Sequence, residues 1–178
     1  MPRLSLFSVT GALRPAAMLT AIFLVMTADP AHAQTLTQQN ISVAQAMAVV
    51  DTVIESCGRR NGDLVTVTVA VVDRAGQPRL MLAADTANPH NLDLARRKAY
   101  TALTFRRTSL EWVARTADRS TRAGQRQMVG VIPLGGGVPI MVGDEPIGAV
   151  GVSDAGGGQP ADHACAMAGV AAIADQLQ

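Results

Sequence analysis

The sequence predicts an α/β protein of the α+β kind, an antiparallel sheet of about five strands packed by helices. Three observations predict it. Residues 65–73 (VTVTVAVVD) alternate and are rich in β-branched side chains, the pattern of a strand. Two strand–turn–strand units have connections too short for a parallel crossover, so each is a hairpin. Apolar stripes at helical spacing flank and separate these hairpins. The resulting order is helix, hairpin, helix, short helix, hairpin, helix, which a sheet with helices laid against it accommodates.

Residues 1–33 stand apart from that fold. Arg3 and Arg14 give a positive front end, and residues 16–28 are apolar and uncharged. Ala31-His32-Ala33 then places small residues at the two positions a signal peptidase reads. The apolar run is shorter than the ~20 residues of a membrane span. The expectation is a signal peptide over 1–33 and a single domain over 34–178, periplasmic or secreted, with no stable membrane span. Cleavage removes Arg3, Arg14 and Asp29 and leaves a formally neutral chain.

The first helix opens at Ser42, with Gln45 three residues on as a capping box. Ala46, Val49, Val50, Val53, Ile54 and Cys57 continue it as one apolar stripe to about Arg60, where Asn61-Gly62 turns the chain. The strand at 65–73 follows, then the turn Arg74-Ala75-Gly76-Gln77 and a returning strand at 78–83. Pro78 fits a strand start or an edge. The loop at 85–91 leads into a second helix from Leu92 to about Arg106, with Asn91 as its expected cap. Thr108 and Glu111 form a second capping box for a short helix at 109–116. Residues 117–127 are polar, and residues 129–134 are apolar up to Gly135-Gly136-Gly137. Short strands at 139–142 and 147–152 make the second hairpin, and Asp162 is the expected cap of a last helix at 163–177. The many valines of the sheet call for a second helix layer or a partner subunit on its other face.

Composition limits the function. Hydrophobic residues are 48% and charged residues 16%, which is not a disordered chain. A formal charge of +1 gives no electrostatic case for nucleic-acid binding. Three histidines and two cysteines leave little for a zinc site. There is no nucleophile elbow, HExxH or CxxC, and no Lys-Ser/Thr follows the glycine cluster as in a nucleotide P-loop. Ser153, Asp154 and His163 hold the residue types of a Ser–His–Asp set, which only geometry can establish. In an oxidising compartment Cys57 and Cys165 can form one bridge, and two separate buried thiols are the equal alternative.

The candidate chemistry gathers around the second helix. His90 sits in the loop just before it, where a neutral imidazole can ligate iron. Arg96, Arg97 and Lys98 are consecutive and fan over more than half of the helix circumference. On a helix packed by Ala95, Ala99 and Ala102, at least one of them must meet a buried face. Lys98 is the candidate for a buried or cleft ion pair, with Asp73 as the expected mate. Gly136 and Gly137 offer backbone N–H groups to a carboxylate, against the alternative of a simple tight turn.

Five blocks in order resemble the GlcG/HbpS family, which is related to the C-terminal domain of PduO-type proteins. They are residues 69–76 (VAVVDRAG), 95–102 (ARRKAYTA), 135–140 (GGGVPI), 147–153 (IGAVGVS) and 162–169 (DHACAMAG). The resemblance spans about residues 40–177. It implies a profilin-like fold with a five-stranded antiparallel sheet, a homo-oligomer, and haem or tetrapyrrole binding in some members. It also places ligand contacts partly in the loop that holds His90. The chain departs from the common pattern at Asp154, where a glycine often follows Ser153.

The leading expectation is an exported, non-covalent haem-binding protein, since no CxxCH attachment motif is present. His90 or a nearby oxygen group would meet the iron, and Arg97, Lys98 or Arg106 the propionates. The alternative is a small-molecule enzyme or sensor domain with a glycine-lined, carboxylate-binding cleft. A third possibility is a purely structural protein whose sheet packs in an oligomer. A cleft lined by a histidine and basic groups favours the first, a polar cleft joining Lys98 to an acidic residue and glycine N–H groups favours the second, and an unbroken apolar interface with no cleft favours the third.

Overall fold

The computed structural model describes residues 35–60, 63, 64 and 66–178. The expected signal peptide at 1–33 lies outside the described residues, as does Gln34. Residues Thr37–Gln178 form one compact unit.

Helix α1 covers Val43–Cys57. Its start is the capping box the sequence specifies: the Gln45 N–H donates to Ser42 Oγ at 3.1 Å and the Ser42 N–H donates to Gln45 Oε1 at 3.0 Å. A short ribbon of β1 (Arg59–Arg60) and β2 (Asp63–Leu64) follows it. The main sheet holds β3 (Thr68–Asp73), β4 (Pro78–Ala83), β5 (Gly137–Val142) and β6 (Glu145–Ser153), all antiparallel, in the order β4-β3-β6-β5. The helices α2 (Asn91–Phe105), α3 (Ser109–Arg115) and α4 (Gly158–Ala171) complete the set.

The five-stranded, profilin-like expectation is thereby corrected: the main sheet has four strands. The apolar segment at 129–134 adds no fifth. The Val131 carbonyl accepts from Arg97 Nη2 at 2.6 Å, and the Ile132 N–H donates to Thr101 Oγ1 at 2.9 Å. Side chains of α2 thus satisfy backbone groups that a sheet ladder would otherwise claim. The segment is pinned across the helix instead.

The two faces of the sheet carry different residues, as the alternation of a strand requires. Val69, Val71, Val150 and Val152 face α1 and α4, joining Val49, Val53 and Ala166 in the main core. Each fully buried valine is worth roughly 1.5–3 kcal/mol. Val72 and Ala149 face the other way, against Ala99, Ala102 and Leu103 of α2. The second helix layer expected from the valine content is therefore α2.

Small residues bring α2 close to the sheet. Gly137 and Gly151 are paired across β5 and β6. A Cβ on Gly151 would strike the Ala95 carbonyl, and one on Gly137 would strike the Lys98 carbonyl. Helices α1 and α4 also meet closely, at Gly169, where a Cβ would lie 2.8 Å from Val53 Cγ2. Cys57 and Cys165 are joined by a disulfide between these two helices, with Cα atoms 6.1 Å apart. That decides between the two readings of the cysteines. No described helix is long and apolar enough to cross a membrane.

Candidate functional site

The close seating of α2 carries Lys98 into the interior. Only 2% of the residue is exposed. A buried ammonium needs a counter-charge and hydrogen-bond acceptors. Lys98 Nζ donates to Asp162 Oδ2 at 2.7 Å and to the Val152 carbonyl at 3.0 Å. The other Asp162 oxygen accepts the Ala155 N–H at 2.9 Å. The pair joins α2, β6 and α4 and fixes the loop between the last two.

Two expectations fail here. Asp73 is not the mate of Lys98; its Oδ1 accepts the Ala75 and Gln77 N–H groups, each at 2.9 Å, and shapes the β3–β4 turn. Asp162 is not a helix cap, because α4 begins at Gly158 and Asp162 lies within it. The signal for its burial was present: Asp162, Cys165, Ala166 and Gly169 fall on one helical face, and all are buried.

Around this pair lies a cleft of about 290 Å³, lined by His90, Leu94, Lys98, Leu134, Asp154 and Asp162 among others. His90 and Lys98 therefore share one hollow. His90 occupies the N-cap position of α2, is exposed, and makes no side-chain cap bond. Asn91, the expected cap, is buried and turns its amide to the cleft wall instead. Its Nδ2 donates to Asp154 Oδ2 at 3.2 Å, and its Oδ1 accepts from Ser153 Oγ at 3.3 Å. Asp154 holds a left-handed backbone, φ 63°, a conformation rare outside glycine and tolerated by Asp. Ser153 is thus engaged with Asn91, and His163 Nδ1 is buried with no partner among the described residues, so no Ser–His–Asp relay is assembled.

The glycine cluster serves packing. The Gly135 N–H donates to Gln159 Oε1 at 2.7 Å and the Gly137 N–H to Ser109 Oγ at 2.8 Å, so neither is offered to an anion. Gly136 has φ 118°, and a Cβ there would lie 2.6 Å from the Val152 carbonyl and 2.8 Å from Asp162 Cβ. Gly136 and Gly137 make room for the ion pair and for α2.

Arg97 and Arg106 are not brought to the cleft. Arg97 is held by the Val131 carbonyl and faces a different groove. Arg106 ends α2 in a left-handed conformation and lies 3.5 Å from Glu145. The cleft offers an imidazole, a neutralised ammonium and the Asp154 carboxylate, together with the apolar side chains of Leu94 and Leu134. Among the described residues no group of three or more His, Cys, Asp or Glu side chains is placed to hold a bare metal ion.

Known proteins share this architecture. A Citrobacter freundii protein, an uncharacterized 15.0 kDa protein of the dhaT-dhaS intergenic region, is 33% identical over 91 residues. That match covers 50% of this chain and 64% of the relative, so the chain spans just under two thirds of the relative's length. The crystal structure of a double mutant of Streptomyces reticuli HbpS aligns with TM-score 0.71 at 29% identity, over 82% of this chain and 97% of that one. The structure of a PduOC:Heme complex aligns with TM-score 0.67 at 24% identity, over 75% and 95%, a likeness of fold. The family described as haem degrading protein HbpS-like matches residues 41–171, nearly the whole of the compact unit, and the chain belongs to that family.

Proposed function

We propose that this protein is an exported, non-covalent haem- or tetrapyrrole-binding protein, acting as a homo-oligomer in the periplasm or outside the cell. The observation that carries the reading is His90. Its imidazole stands exposed at a cleft rim with no partner among the described residues, in a family associated with haem. An imidazole left free of hydrogen bonds keeps a nitrogen lone pair for iron. The family's description names haem, and a PduOC:Heme complex has the same fold.

The residues fit the iron better than the propionates. His90 would supply a nitrogen ligand to the iron, and Leu94 and Leu134 apolar surface beside it. Lys98 is committed to Asp162, and Asp154 repels carboxylates, so propionates would find no cation in the cleft. Bound haem would supply a redox-active, ligand-binding iron. Both cysteines of the chain are consumed in the disulfide, which leaves none for thioether attachment. That bridge and the apolar leader support export. Exposed Met47 and Met167, on the adjacent helices α1 and α4, support self-association.

A second reading is favoured by the size and polarity of the cleft. Its volume of about 290 Å³ is at the low end for ligand pockets. The buried Lys98–Asp162 pair beside the Asn91–Asp154 bond makes it a small-molecule site, of an enzyme or a sensor, for a neutral or cationic polar molecule. The Gly135 and Gly137 N–H groups, bonded to Gln159 and Ser109, do not contribute to it.

Haemin titration of the purified protein, followed by visible absorption, tests the first reading. A saturable Soret shift that is lost or displaced in His90→Ala is expected. Absence of a saturable change sinks haem binding, and an identical change in the variant removes His90 from the iron.

A further inference from the structure

On the other side of α2 lies a larger hollow, of about 710 Å³. Its walls are the β3–β4 turn, the outer face of α2 and the segment at 126–130. Arg96, Arg97 and Arg126 line it, against one carboxylate, Asp93.

The way these arginines are held matters more than their number. Arg97 Nη2 donates to the Val131 carbonyl at 2.6 Å. Arg126 donates from Nη2 to the Val113 carbonyl at 2.9 Å and from Nε to Thr116 Oγ1 at 3.1 Å. These acceptors are uncharged, so they fix each guanidinium in place without cancelling its charge. Their carboxylate neighbours pair only loosely, beyond hydrogen-bond distance: Asp93 lies 3.9 Å from Arg97, and the exposed Asp118 lies 3.9 Å from Arg126. Only Arg96 has a close ion pair, with Asp93 at 2.8 Å. Cations fixed before a ligand arrives lose little freedom on binding it.

The floor is shaped for close approach. Gly76 and Gly130, both at positive φ, flank the ring of Tyr100. A Cβ on Gly76 would lie 2.8 Å from ring carbons, and one on Gly130 3.2 Å. Met128 and Val129 add an apolar rim, Val129 being 95% exposed. Neither the arginines nor the rim belongs to the His90 cleft.

We propose that this groove binds a small organic molecule carrying two or more oxyanion groups, carboxylate or phosphate, through Arg96, Arg97 and Arg126. The proposal does not depend on haem binding. Isothermal titration of the purified full chain at low ionic strength, with citrate and with pyrophosphate as probes, tests it. Saturable binding is expected, weakening with added salt. Preference for citrate assigns carboxylates, and preference for pyrophosphate assigns phosphates. Arg96→Gln, which removes the arginine bonded only to Asp93, weakens binding about threefold to tenfold. Asp93→Asn removes the opposing charge and tightens it by a similar factor, an effect that damage to the fold would not produce. His90→Ala leaves it unchanged, so the groove and the haem reading stand or fall separately. No saturable binding of either probe overturns the proposal, as do two variants that fail to move affinity in opposite directions.

Discussion

Lys98 and Asp162 meet at 2.7 Å in the interior, on helices α2 and α4, and each is almost wholly removed from solvent. The contact closes one wall of the candidate cleft and ties the start of α4 to the sheet through the Val152 carbonyl and the Ala155 N–H. Neither charge has another opposite partner among the described residues.

Breaking this pair from one side leaves the other charge stranded. Lys98→Met or Asp162→Leu alone is expected to lower unfolding free energy by about 3–5 kcal/mol. The double variant recovers much of that loss, because no uncompensated charge remains. Urea denaturation of the four proteins gives the cycle. Additive losses would show that the two side chains are not energetically joined.

The seat of α2 depends on Gly151. Its missing Cβ is the space filled by the Ala95 carbonyl and the Ala99 N–H. Both obstacles are backbone, so no rotamer can relieve the clash. Gly151→Ala therefore costs about 3 kcal/mol or more and loosens the cleft with it. Thermal unfolding reads the loss, and amide exchange in α2 shows whether it is local to that helix. A variant of native stability would mean that the helix can lift without cost.

The Cys57–Cys165 bridge closes a sequence separation of 108 residues. A loop of that size loses much conformational freedom in the unfolded chain when bridged. The double variant Cys57→Ser, Cys165→Ser is expected to lose roughly 3–5 kcal/mol. Gly169 already packs α4 onto α1, so the fold itself should persist. Urea denaturation of the variant and of the bridged and reduced native chains checks this: the bridged chain is expected to unfold at higher urea, and the other two at equal midpoints.

Much of this architecture is legible in the sequence. The Ser42–Gln45 and Thr108–Glu111 capping boxes are both formed, and both hairpins pair as their short turns demand. These signals are local and tertiary contacts agree with them, whereas the equally local cap signals of Asn91 and Asp162 yield to bonds with Asp154 and Lys98. Three consecutive cations on a packed helix likewise require one to be buried, and Lys98 is that one. Its partner is less legible, because choosing Asp162 over Asp73 needs the arrangement of α4 against β6. The same limit applies to residues 129–134. Residues 129–134 are apolar, but only tertiary contacts reveal that Arg97 and Thr101 take up their backbone groups. Pro160 marks the true start of α4, since proline is tolerated in the first turn of a helix.

Glu145 sits beside two arginines: Arg74 Nη2 donates to its Oε2 at 2.9 Å, and Arg106 lies 3.5 Å from Oε1. The Arg74 hydrogen bond, followed by the charge of Arg106, holds its carboxyl below the ordinary value of 4.5. A carboxyl whose folded value is depressed stabilises the fold when ionised. That contribution is complete above the unfolded value and fades as pH falls through the folded one. Glu145→Gln should therefore lower Tm slightly near neutrality, and the gap from the native chain should close as the medium is acidified below 4.5. The site is exposed, so solvent and salt keep the effect small. Melting curves across the acid range, at low and high salt, supply the check. A gap that is constant with pH would remove the ion pair as its cause.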